Sequence, residues 1–134
     1  MRMTVRAVLL TMGALACLRA SAQRVGPTDD GATVVPTGQL VRAVGETLEF
    51  AGRPVDVALS PDGRTLYVKD NRGVVIVDVE SWRVRHEAAF PEGGGSMHGL
   101  AVSDDGRVYA STAQNHVWVG TPTDSGGLEW LDSV

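Results

Sequence analysis

From residue 39 onward, apolar residues come in short runs: "QLVRAV", "LEF", "VDVAL", "TLYV", "GVVIVDV", "WRVRHEAAF", "GLAV", "VYAS", "HVWVG" and "LEWL". Gly, Pro, Asp, Asn or Ser separates one run from the next. The runs are rich in Val, Leu, Tyr and Trp, and no stretch keeps a 3.6-residue period long enough to specify an amphipathic helix. This pattern predicts an all-β chain of short strands. The turns support it. In "SPDG" (60–63) Pro61 presets φ, Asp62 can accept hydrogen bonds from the backbone that follows it, and Gly63 supplies the positive φ that closes a hairpin. "SDDG" (103–106) has the same chemistry without the proline.

The two turns belong to a longer repetition. Gly52, Ala58, Ser60, Asp62, Gly63 and Arg64 recur as Gly95, Ala101, Ser103, Asp105, Gly106 and Arg107, all at a spacing of 43. After one dropped residue, Tyr67 falls on Tyr109 and Val75 on Val117 at 42. A period near 40 to 45 with four strands per unit is the signature of β-propeller blades. The expected boundaries are a first blade over 52–94 and a second over 95–134, with one or two N-terminal strands over 39–51. "DNRG" (70–73) and "DVES" (78–81) are the later turns of the first unit; "AQN" (113–115) and "GTPTDSGG" (120–127) take those places in the second.

"GRPVDVALSPDGRTLYVKDNRGVVIVD" (52–78) resembles the blade consensus of the YVTN-type, YncE-like β-propeller repeat, and "GSMHGLAVSDDGRVYAS" is similar to a degenerate second copy. The likeness spans the stretch from Gly52 into the 120s. It departs at the signature tetrapeptide, which reads "YVKD" at 67–70 and "YAST" at 109–112. The resemblance implies a ring of about seven blades and about 300 residues, so further blades or a downstream domain are expected beyond these two. It also implies a binding or scaffold role around a central channel. The alternatives are a hydrolytic protein, either a lactonase-like propeller or one fused to an alkaline-phosphatase-superfamily domain, and a truncated product without function of its own.

The N-terminus changes the charge and the destination. Basic residues Arg2 and Arg6, the apolar run "AVLLTMGALACL" (7–18) and the small-residue pair in "ASA" (20–22) form a secretory signal, with cleavage expected after Ala22 and an extracytoplasmic, periplasmic or secreted, location. An apolar run of 12 is too short for a stable membrane span. Lipid anchoring through Cys17 is the minor alternative. Cleavage removes the only cysteine and three of the 12 basic residues but none of the 16 acidic ones, leaving 9 − 16 = −7. That balance disfavours nucleic acid and anionic surfaces as partners. The unknown partner is therefore expected to be a protein or a small-molecule ligand. Residues 23–38, with two prolines and three glycines, are read as a flexible leading segment.

Candidate chemistry is sparse. His98, Arg53 and Asp56 are the residues expected near the channel mouth, because they stand where first strands begin. His98 replaces Val55 in the repeat and shares parity with Val57 and Leu59, so a packed histidine is expected. His86, His98 and His116 lack metal-ligand spacing, and no cofactor motif is found. "PEGGGS" (91–96) lacks the Lys-Ser/Thr ending of a phosphate loop and is read as a slack connection between blades. No nucleophile motif supports a catalytic residue. Trp82, Trp118 and Trp130 are assigned to third or fourth strands, filling the gap between blades.

Overall fold

The computed structural model describes residues 24–134. The stretch read as a secretory signal, with Cys17 and Ala22, lies outside the described residues. The chain divides into two compact units, the first ending at Thr47 and the second spanning Leu48–Val134. All regular structure among the described residues is antiparallel β.

In the first unit, β1 (Gly26–Pro27), β2 (Thr33–Val34) and β3 (Leu40–Val41) form a small meander. Its turns close through Thr28 N to Ala32 O at 2.8 Å and Val35 N to Gln39 O at 3.0 Å. The Arg42 guanidinium donates to Asp30 at 2.5 Å. Two of these strands fall inside the stretch read as a flexible leading segment. Glycines 31 and 38, both with positive φ, act here as turn residues and not as sources of slack.

The second unit holds two four-stranded meanders of the same order. The first is β4 (Asp56–Leu59), β5 (Thr65–Lys69), β6 (Gly73–Asp78) and β7 (Arg83–Ala89); the second is β8 (Gly95–Val102), β9 (Val108–Thr112), β10 (Val117–Pro122) and β11 (Leu128–Ser133). β4 lies beside β8 and β7 beside β11, so equivalent strands are neighbours across the stack. The hairpin turns form as their residues dictate. Ser60 N bonds Thr65 O at 2.8 Å, Ser60 Oγ donates to Asp62 at 2.6 Å, and Gly63 takes φ +71°. Ser103, Asp105 and Gly106, at φ +85°, repeat the arrangement.

Strand parity builds the core. Tyr67, Val74, Ile76, Ala88 and Phe90 of the first sheet bury against Val108, Ala110 and Leu128 of the second, with Trp118 and Trp130 packed on the same cluster. Trp130 also donates its indole N–H to Ala89 O at 2.7 Å, across the two sheets. The opposite face of the first sheet buries Val68, Val75 and Val77 under Leu48, Phe50 and Trp82. β6 is covered on both faces and reads as an unbroken apolar run for that reason.

Several sequence expectations change here. In the observed register Val74 pairs with Lys69 and Val117 with Ser111. The equivalent of Val117 is therefore Val74, not Val75. The residue dropped in the first hairpin is regained in the second, because the turn from Thr112 to His116 is one residue longer than the turn from Asp70 to Gly73. Trp82 is not in a strand; it sits in the turn before β7 at φ +52° and packs on the face away from the second sheet. The first three residues of "GTPTDSGG" are strand, since β10 runs to Pro122, and the turn closes through Thr123 N to Gly127 O.

The glycine run is not slack. Gly95 N donates to Asn71 O at 2.9 Å, and Gly94 is held on both sides, its N–H by Gln114 and its carbonyl by Ala113 N. A Cβ on Gly95 would stand 2.3 Å from Asp70 O, so the absence of a side chain is what lets the two backbones meet.

Candidate functional site

The three residues singled out near the start of the inner strands are handled differently by the fold. Asp56 opens β4 and turns toward the second sheet. Its Oδ2 accepts the N–H groups of Gly99 at 2.9 Å and Leu100 at 3.0 Å, and its Oδ1 accepts the N–H of Val57 at 3.0 Å. Burial alone would raise this carboxyl, but those N–H groups and the Lys69 charge hold it below the ordinary aspartate value. Arg53 is exposed and reaches Met97, with Nη2 at 3.8 Å from Sδ. Among the described residues no carboxylate lies within ion-pair distance of its guanidinium.

His98 is exposed, contrary to the expectation of a packed histidine. The parity argument fails for two reasons. β8 departs from regular pairing between Gly95 and Leu100, with Gly99 at φ +95°, so alternation is interrupted where His98 stands. The reference residues Val57 and Leu59 are themselves 58% and 52% exposed, because the cover on that face of the first sheet does not extend to β4. What His98 contributes is its backbone carbonyl.

That carbonyl belongs to a group of residues that sequence reasoning missed. Lys69 is fully buried, at 0% exposure. It shares its strand face with Tyr67 and extends across to the second sheet. There the three N–H groups of Nζ are shared among four oxygens, His98 O at 2.6 Å, Ser96 Oγ at 2.9 Å, Ser111 Oγ at 3.2 Å and Gly99 O at 3.4 Å. Ser96 Oγ and Ser111 Oγ are 2.7 Å apart. Burial pushes the Lys69 ammonium below its ordinary range, opposed by the Asp56 charge. A lysine is almost never fully buried without partners, and here they are oxygens of the β8 irregularity and of β9. The signal was present in "YVKD": a lysine in phase with Tyr67 on an otherwise inward-facing strand.

Asp70, the other departure from the signature tetrapeptide, is 1% exposed. It caps its own turn by accepting Arg72 N at 2.7 Å and Gly73 N at 2.9 Å, and it pairs with the Arg72 guanidinium at 2.8 Å. Residues 69 and 70 thus do separate work, one across the sheets and one within the hairpin.

Beside the Lys69 cluster lies a recess of about 150 Å³ lined by Arg53, Val55, Asn71, Gly95, Ser96 and Met97. A second recess of about 210 Å³ runs along Arg72, Gly73, Glu87 and Ala88. His86 and His116 are both exposed and on different strands or turns, and no group of three potential metal ligands gathers among the described residues. The bonds that Asp56 and Lys69 make to the second sheet, which together latch the two sheets, have no counterpart from the second sheet's own equivalents, since Gly99 and Ser111 stand there where Asp56 and Lys69 stand in the first. Comparison of the chain with protein-family models, with curated proteins and with solved structures finds no match.

Proposed function

We propose that this chain is part of a secreted or periplasmic β-propeller, with a binding or scaffold role, in which the two four-stranded sheets are successive blades. One observation carries the reading. Two meanders of identical strand order stack with equivalent strands side by side, and the Tyr67, Val74 and Ile76 face of the first is covered by the second. Register makes Tyr109, Val117 and Val119 the equivalents of those three residues on the second sheet, and all three are only half-buried. A face of that composition is suited to a further sheet of the same kind, and stacking of this type hides apolar faces in propellers.

The test uses protein recovered from the cell envelope, whose intact mass should place Gln23 first. At micromolar concentration it is expected to associate or to unfold over a broad range, and Tyr109→Glu should raise the monomer fraction by charging the half-buried face. A sharp, cooperative melt of a wild-type monomer would overturn the proposal.

A further inference from the structure

We propose that copies of this chain stack head to tail: the Tyr109 face of one copy docks on the face of the next copy's first sheet that points away from its second. Leu48 and Phe50 are a strap over that docking face and give way to the incoming sheet. The inference rests on the stacking reading above and names the partner, a second copy of this chain.

The contact inside the molecule defines two complementary halves. The first sheet presents Tyr67, Val74 and Ile76, and the second answers with Leu100, Val102, Val108, Ala110 and Trp118. Each half recurs, open, on the opposite sheet. Tyr109, Val117 and Val119 repeat the presenting half and are only half-buried. On the first sheet, register makes Val57, Leu59 and Val68 the equivalents of Leu100, Val102 and Ala110. Leu100 and Val102 are packed by the neighbouring sheet, whereas Val57 and Leu59 stand 58% and 52% exposed. A contact between like faces could not reproduce the observed packing. A head-to-tail contact repeats it with the same residue positions on each side.

The docking face is bare at β4 and covered in its middle. There Leu48 and Phe50 pack on Val68, Val75 and Val77, with exposed Glu49 between them. The cover alternates like a strand yet belongs to no ladder. Among the described residues, no backbone hydrogen bond ties Leu48, Glu49 or Phe50 to its surroundings. Gly45 and Gly52, both at positive φ, bracket the strap. Apolar contact is what holds it, and a docking sheet offers the same valines a wider apolar surface. The polar latch is missing from the contact between copies, because Gly99 and Ser111 stand where Asp56 and Lys69 tie the internal one. Stacking between copies is therefore weaker than within one, reversible and little affected by salt.

The experiment is sedimentation velocity on the full chain and on two charge variants, Tyr109→Glu and Val57→Glu, alone and mixed. The wild type is expected to form species beyond the dimer, because a head-to-tail contact leaves an open face at each end. Each variant alone should need about tenfold more protein for half association, since a carboxylate enters the contact. Mixed one to one, they should regain wild-type affinity but stop at the dimer. Only the intact Tyr109 face of one variant can meet the intact Val57 face of the other, and that recovery also shows that both fold. Phe50→Ser loosens the strap in the free copy and should tighten association about fivefold, while Glu49→Ser should leave it unchanged. Self-association of Val57→Glu as tight as that of the wild type overturns head-to-tail stacking. So does a mixture no tighter than its parts when both variants keep the wild-type circular dichroism. Weaker association of Phe50→Ser overturns the strap. A wild-type monomer with a sharp melt removes the stacking reading itself, whereas tight self-association of Val57→Glu removes this inference alone.

Discussion

Lys69→Met is the substitution that asks most of the latch between the two sheets. Methionine keeps an unbranched side chain of similar reach, so the change removes the ammonium with little loss of volume. The two shortest bonds, to His98 O at 2.6 Å and Ser96 Oγ at 2.9 Å, carry most of the interaction. Charge-assisted bonds are each worth about 1.5–3 kcal/mol net, which puts the pair at about 3–6 kcal/mol. Relief of burying the ammonium gives back several kcal/mol. Asp56 is not orphaned, because its three backbone N–H donors remain. The expected net loss is therefore about 2 kcal/mol, below the roughly 3–5 kcal/mol seen when a buried charge loses its only partner. By the rule of about 1.4 kcal/mol per tenfold, amide exchange at Gly99 and Leu100, whose N–H groups Asp56 holds across the two sheets, should quicken about 30-fold. Amides paired between β6 and β7 should change far less. Hydrogen exchange read by mass spectrometry reports both regions even if the protein associates. Equal or slower exchange at Leu100 in the variant would mean that desolvation outweighs the hydrogen bonds, and the latch would not be a stabilising device.

Two further outcomes follow from the same geometry. The carboxyls of Asp30, Asp56, Asp62 and Asp105 are all held below the ordinary value, so in the unfolded chain they take up protons first as pH falls. Their contribution is complete above about pH 3.9 and is lost as the pH drops through the lower folded values; circular dichroism should show stability falling there, less steeply in Asp56→Asn. Gly95→Ala forces a Cβ to 2.3 Å from Asp70 O and should destabilise by about 1–3 kcal/mol in urea unfolding, whereas Gly94→Ala, at 3.3 Å from Asn71 O, should cost much less.

How much of this was legible in the chain depends on the range of the interactions. Turn chemistry is local, so Asp62 and Gly63, and their copies Asp105 and Gly106, could be placed from four residues of context. Strand identity is nearly local, since period and composition select it. His98 shows where this reasoning stops. Alternation along the strand predicts a packed side chain, and one irregularity in β8 with a positive-φ glycine resets the alternation. Trp82 shows the same limit at a turn, where φ +52° redirects a large ring to the other face of the sheet.

The sequence by itself determined an all-β chain, two repeating four-strand units and the hairpins within them, because side-chain parity and turn preferences act over a few residues. Only the tertiary structure decided which residues join the units. Asp56 meets the N–H groups of Gly99 and Leu100 from 43 and 44 positions away, and Lys69 meets Ser111 from 42. A buried lysine and an aspartate turned toward a neighbouring sheet are unfavourable as isolated choices. They become favourable only when stacking supplies the oxygens and N–H groups that replace water.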